Sequence, residues 1–303
     1  MEKSDPQRAC VWRAHTVSLG GFPIEQVGEQ SNLGRFPNAV GPEKKDAPIY
    51  FSHVAKTGGT TVSAFLRTLF EKSDFWHRGG GERWVDLLEL TPERLQQFRI
   101  INGHFGGYIF KHYPLPLRYF TFVRDPLERA VSHHEHVLRD SGHYLHTLAN
   151  ELATFGAYLR DERTQPTVVN FQLRFIGATF DPIAICRTLS ATQLAGLELE
   201  RHLDTAPPPQ GIEELIQTAN SRLDQMCFVG LTERFDESLT LLCETFGWPM
   251  PAGVEALNVN PRSRCANDLL SKDVHLLKRL NEAEIDLYQA AKARFEREQK
   301  ICI

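Results

Sequence analysis

The chain predicts an α/β fold, a central and mainly parallel sheet flanked by helices in three layers. Three segments carry that expectation, each an apolar, β-rich run that stops abruptly and hands over to a helical pattern. The first opens at Tyr50 and leads to Val62, Phe65, Leu66 and Leu69. The second, 117–123, leads to Leu127, Ala130, Val131 and Val137. The third, 226–231, leads to a helix over Phe235–Phe246. Repeated strand–helix units build parallel sheets, because parallel neighbours need a crossover between them.

The first unit is the most informative. Its strand runs through Ser52-His53-Val54-Ala55 into Lys56-Thr57-Gly58-Gly59-Thr60-Thr61. Glycines allow close backbone approach, hydroxyls add hydrogen bonds, Lys56 adds a charge, and the helix that follows presents its N-terminus. The chemistry suits an anion, most simply a phosphate. The order fails the Walker A pattern, which puts lysine after the last glycine and opens on a glycine. The loop is therefore P-loop-like. A glycine-rich strand–helix turn also forms for packing reasons alone, so this segment by itself leaves both readings standing.

In the second unit, 117–123 ends at Arg124-Asp125-Pro126. Asp125 suits a helix cap and Pro126 its first turn. Arg124 then lies at the carboxyl end of a strand, where open α/β sheets place ligands. Ser132 follows eight residues on, inside the helix. An arginine fork and a hydroxyl can hold a second phosphate; an Arg124–Asp125 cap with a solvated serine is the alternative.

Three stretches together resemble the PAPS-dependent sulfotransferases. They are His53 to Thr61, Phe122-Val123-Arg124-Asp125-Pro126-Leu127-Glu128-Arg129-Ala130-Val131-Ser132, and Phe228-Val229-Gly230-Leu231-Thr232-Glu233-Arg234-Phe235-Asp236-Glu237-Ser238-Leu239. The chain is most similar to the carbohydrate branch that includes heparan sulfate 2-O- and 6-O-sulfotransferases and bacterial relatives. The resemblance implies a sulfotransferase domain over 47–303. It makes Lys56, Thr57, Gly58, Gly59, Thr60 and Thr61 contacts of the 5′ end of PAPS, and sets Arg124 and Ser132 on its 3′-phosphate. A loop closing over the nucleotide would bring in Arg264, which equally suits a surface turn. Ala55 stands where many relatives have proline.

Sulfuryl transfer leaves charge on a nucleotide phosphate, which Lys56 and the loop amides can stabilise without a metal. The acceptor hydroxyl needs a base near neutral pH. Of twelve histidines, His104 is the candidate. It ends the strand-like run Arg99-Ile100-Ile101-Asn102-Gly103, and relatives carry a base histidine between the two nucleotide segments. His53 reads as structural. Ser132-His133-His134-Glu135-His136 lacks the spacing of a metal motif, and a helix surface beside the acceptor groove explains it better.

The first 46 residues, with scattered Gly, Pro and Gln, read as an extended or partly disordered arm. Helices are expected over 145–160, 168–175, 212–223 and 276–298, the last as a solvated cover. Gln172 and Arg174 could line an acceptor groove or simply pack. The six cysteines show no framework spacing and are expected reduced. No transmembrane segment is evident, which fits a bacterial-type cytoplasmic enzyme, or a Golgi lumen enzyme whose anchor has been removed. The net charge of −4 favours a small or neutral glycan, or another hydroxyl-bearing acceptor, over a polyanion. Nothing in the sequence supports nucleic-acid binding. A P-loop-type kinase and a non-catalytic nucleotide-binding protein are the competing readings.

Overall fold

The computed structural model describes residues 47–76, 91–112, 117–179, 211–250 and 265–301. The arm over 1–46, the loop carrying Arg264, Pro207 to Pro209, and Cys10, Cys186 and Cys302 lie outside them. In chain order the elements are β1 (Ile49–Ser52), α1 (Gly59–Leu69), β2 (Phe75–Trp76), α2 (Pro92–Leu95), β3 (Ile100–Gly103), α3 (Ile109–His112), β4 (Arg118–Val123) and α4 (Pro126–Arg139). Then come α5 (His146–Leu152), α6 (Phe155–Arg160), α7 (Phe171–Gly177), α8 (Ile212–Gln225), β5 (Phe228–Leu231), α9 (Phe235–Phe246), α10 (Ser271–Leu280) and α11 (Glu282–Ile301).

The five strands form one sheet in the order β2-β3-β1-β4-β5, and every pairing is parallel. Every residue of β1, β3 and β5 is buried, so both sheet faces are covered, as parallel sheets require. This is the expected three-layer α/β arrangement. Aromatic rings fill much of the space: Phe51 stacks on Phe120 at 4.9 Å, and Phe122 meets Phe228 at 5.7 Å. Gly230 makes room for that packing, since a β-carbon there would lie 2.7 Å from the Phe122 ring.

A second apolar cluster joins Leu127, Ala130, Val131 and Val137 of α4 to Leu145, Ala149, Phe155, Tyr158 and Leu277. It ties α4, α5, α6 and α10 together. Asp125 caps α4 as anticipated, accepting hydrogen bonds from the N–H groups of Leu127 and Glu128.

The helical expectations hold for α8 and α9 and need correction elsewhere. The stretch 145–160 is two helices, because Ala153 turns left-handed (φ 58°) and the Thr154 side chain caps α6 by accepting from Ala157 N–H at 3.1 Å. The stretch 168–175 is helical only from Phe171: a short 3-10 turn, Gln165–Thr167, ends before it, and α7 begins after left-handed Asn170 (φ 49°). The covering helix 276–298 is α10 and α11, broken at buried Asn281, whose Oδ1 accepts the Asn170 N–H at 2.7 Å. One side chain thus satisfies the backbone at the other break. Of the cysteines described, Cys227, Cys243 and Cys265 are free thiols, Cys243 buried.

Candidate functional site

The sheet order determines where the chemistry collects. β1 lies between β3 and β4, in register at Ser52↔Gly103 and Ser52↔Thr121, and all three strands point the same way. The residues just past their carboxyl ends therefore share one edge: the Lys56 loop after β1, His104 after β3, Arg124 after β4. The chain also reverses its direction of strand addition around β1, which makes this edge the switch-point crevice of an open α/β sheet.

The Lys56 loop is tightly held. Lys56 itself is left-handed (φ 73°), a strained conformation for a residue with a β-carbon. Gly58 (φ 82°) precedes α1, which has no side-chain cap and no acidic residue in its first turn. Its leading N–H groups are the kind that anions satisfy. Thr57 is buried and donates its hydroxyl to the Val54 carbonyl at 2.9 Å, so its side chain braces the loop. Thr60 is exposed and Thr61 buried.

Three neighbours fasten this loop to the next strand. Arg129 of α4 donates through Nε to the Ala55 carbonyl at 3.1 Å and through Nη1 to the Thr167 carbonyl, its guanidinium 3.7 Å from the Phe171 ring centre. Arg124 Nη1 donates to the Lys56 carbonyl at 3.4 Å. Thr232 Oγ1 shares its proton between the carbonyls of Thr57 (2.9 Å) and Val123 (3.1 Å). The sequence drew attention to Thr232 only as part of a motif, and to Arg129 not at all as a functional residue. No local pattern marks Arg129, because the carbonyls it bonds lie far away in the chain.

Electrostatics follow from this crowding. Burial, then the charges of Arg129, Arg139 and Arg124, bring the Lys56 ammonium down to about 8. His104 Nδ1 lies 2.7 Å from the His53 carbonyl and the two rings are 4.1 Å apart. A carbonyl only accepts, so Nδ1 carries the proton and Nε2 keeps its lone pair. Although His104 is exposed at residue level, the protein packed about its ring lowers its pKa below the usual histidine value, against the opposing effect of that hydrogen bond. His53 is lowered further, by burial first and then by His104 and Lys56. Its packing against Gly59 accords with a structural role.

On α4, Ser132 is half-buried. His133 and His136 each lie within 6 Å of the His143 ring, at 5.7 and 5.8 Å between centres. Burial and the charges nearby, Lys56 among them, lower all three, His143 to about 4. Among the described residues no group of three or more His, Cys, Asp or Glu is arranged to hold a metal ion. Gln172 does not line a groove; it is 1% exposed and bound to the Arg124 main chain. Arg264 lies outside the described residues.

Fold and site thus define an α/β protein with a cationic cluster at its strand ends. No family model matches the chain. It is similar to a protein-tyrosine sulfotransferase of Arabidopsis thaliana, 26% identical over 251 residues, covering 66% of this chain and 49% of that protein. It is also similar to heparan-sulfate 6-O-sulfotransferase 1-B of Danio rerio, 23% identical over an alignment of 323 residues, covering 93% of this chain and 72% of that one. The match spans about half the length of the plant relative. Both relatives are sulfotransferases, which supports a place in that group and sulfuryl transfer as the reaction class. Among the described residues no helix is long and apolar enough to cross a membrane.

Proposed function

We propose that this protein transfers a sulfuryl group from PAPS to a hydroxyl of a glycan, releasing adenosine 3′,5′-bisphosphate. The observation that carries the reading is the adjacency of β3, β1 and β4, which gathers His104, the Lys56 loop and Arg124 on one edge. In the reaction the acceptor oxygen attacks sulfur as the bond from sulfur to the 5′-phosphate oxygen breaks. The acceptor proton passes to Nε2 of His104, the nitrogen left basic by the Nδ1 bond to the His53 carbonyl. Charge that develops on the departing phosphate meets Lys56 and the first N–H groups of α1. Arg124 and Ser132 hold the 3′-phosphate, and Thr60, Thr61, Gly58 and Gly59 border the 5′ end. The glycan acceptor rests on the fish relative, whose alignment covers more of this chain than the plant tyrosine enzyme does.

Thermal shift tests the donor. Adenosine 3′,5′-bisphosphate with a chelator present should stabilise the protein; stabilisation by ATP with magnesium alone would indicate a kinase and sink the proposal. Arg124→Ala should weaken the bisphosphate by about 10- to 100-fold, the scale of charge-assisted hydrogen bonds. Labelled PAPS offered with neutral glycans and with tyrosine peptides then decides the acceptor. His104→Ala should abolish turnover while leaving bisphosphate affinity intact; binding without any turnover in the parent protein would mark a non-catalytic nucleotide-binding protein.

A further inference from the structure

Arg124 sits just beyond the end of the sheet ladder, which closes at Val123↔Leu231. Its main-chain groups nevertheless find partners. Gln172 Oε1 accepts the Arg124 N–H at 2.9 Å, and Gln172 Nε2 donates to the Arg124 carbonyl at 2.8 Å. One side-chain amide thus does for Arg124 what a neighbouring strand would do. Gln172 is oriented in turn by Glu284, whose Oε1 accepts from the same Nε2 at 2.8 Å while Oε2 accepts the Leu173 N–H at 3.2 Å.

A second limb reaches the other side of Arg124. Glu233 Oε1 accepts the Asp125 N–H at 2.9 Å and lies 4.0 Å from Arg124 Nε, and Glu233 Oε2 accepts from the Tyr288 hydroxyl at 2.9 Å. Glu284 and Tyr288 are four residues apart on α11, hence neighbours on one face. Gln172 and Glu284 are 1% and 2% exposed. Burying a carboxylate is costly, and here the Gln172 amide and the Leu173 N–H offset that cost. With its main chain fixed by Gln172 and its Nε beside Glu233, the Arg124 side chain starts from a set position, which favours the angle that bidentate phosphate recognition demands.

We propose that Gln172 and Glu284, with Glu233 and Tyr288 as a second limb, are positioning residues that set Arg124 for recognition of a nucleoside 3′-phosphate. This assignment rests on the sulfotransferase reading and deepens it.

Titration calorimetry with two probes tests it: adenosine 3′,5′-bisphosphate, and adenosine 5′-phosphate, which lacks the 3′ group. Gln172→Met should raise the bisphosphate Kd at least 10-fold and leave the 5′-phosphate Kd within 2-fold. Tyr288→Phe should move the same ratio in the same direction by about 3-fold, and it serves if Gln172→Met does not fold. Added to Arg124→Ala, Gln172→Met should cost nothing more. Folded variants that discriminate as the wild type does, or that lose both probes equally, overturn the assignment alone. A wild-type protein indifferent to the 3′-phosphate overturns the donor reading and this assignment with it.

Discussion

The imidazole of His53 occupies the space in which residue 59 would carry a β-carbon. Such an atom would lie 1.9 Å from Cδ2 and 2.0 Å from Nε2. The ring has little freedom to retreat, being stacked on Phe51 at 5.3 Å and set against His104 at 4.1 Å. Gly59→Ala is therefore expected to cost about 1–3 kcal/mol, the usual penalty of overpacking. Adding His53→Ala should recover part of that loss. Urea unfolding of the two single variants and the double measures this, and strictly additive losses would contradict it.

His104 and Lys56 set opposite limbs of the pH profile on the proposed mechanism. The base must be neutral, so kcat/KM for the donor falls as pH drops through the His104 pKa, below the ordinary histidine value. The cation must be charged, so it falls again above about 8, where Lys56 loses its proton. Anionic donor bound beside Lys56 favours the charged form, which puts the alkaline limb of kcat at higher pH than that of kcat/KM. Lys56→Arg should erase the limb near 8. A profile flat from pH 7 to 10 in the parent enzyme would exclude Lys56 from this role.

Acid should unfold the protein early. His53 and His133 have folded pKa values well below 6.5, mainly through burial, and His133 Nε2 is buried without a hydrogen-bond partner. Between the folded and unfolded values the unfolded chain binds more protons, so stability is present above 6.5 and declines as pH falls. Each such histidine contributes up to about 1.4 kcal/mol per pH unit. His133→Gln should flatten the slope of Tm against pH between 6 and 4; an unchanged slope would show that His133 does not control it.

Arg129 offers a contrast to Gln172. Arg129→Met removes the donors to the Ala55 and Thr167 carbonyls and should cost about 2–4 kcal/mol. It loosens the loop rather than Arg124, so the bisphosphate and the 5′-phosphate should weaken together. Loss of its charge should also raise the Lys56 pKa, moving the alkaline limb upward. Calorimetry with both nucleotides and the pH profile of the variant check the pair of expectations.

The strands that matter were legible because each is apolar along its whole length and ends at a change of chemistry: Ser52 into the Lys56 loop, Val123 into Arg124-Asp125-Pro126. The two-residue β2 was not, being too short for any periodicity to register. Helix breaks at Ala153, Asn170 and Asn281 escaped for a different reason. Each is settled by a cap, a left-handed residue or a bond to a distant backbone group, and a local pattern contains none of these. Arg124 and His104 could be singled out because strand ends are where ligands gather. Glu284 and Arg129 could not, and Gln172 read only as a groove-lining or packing residue, since their partners lie tens of residues away in the chain.

Because Glu284 and Tyr288 belong to α11, they are synthesised after all five strands. The same helix carries Leu287, Ala291 and Phe295 into the main core, and its Arg294 bonds the Met226 carbonyl at 2.7 Å, just before β5. The carboxylate and hydroxyl that brace Gln172 and Glu233 therefore arrive with the apolar side chains that close the sheet's covering layer. Completing the fold and completing the frame around Arg124 are one late event, so neither can be trimmed away without the other.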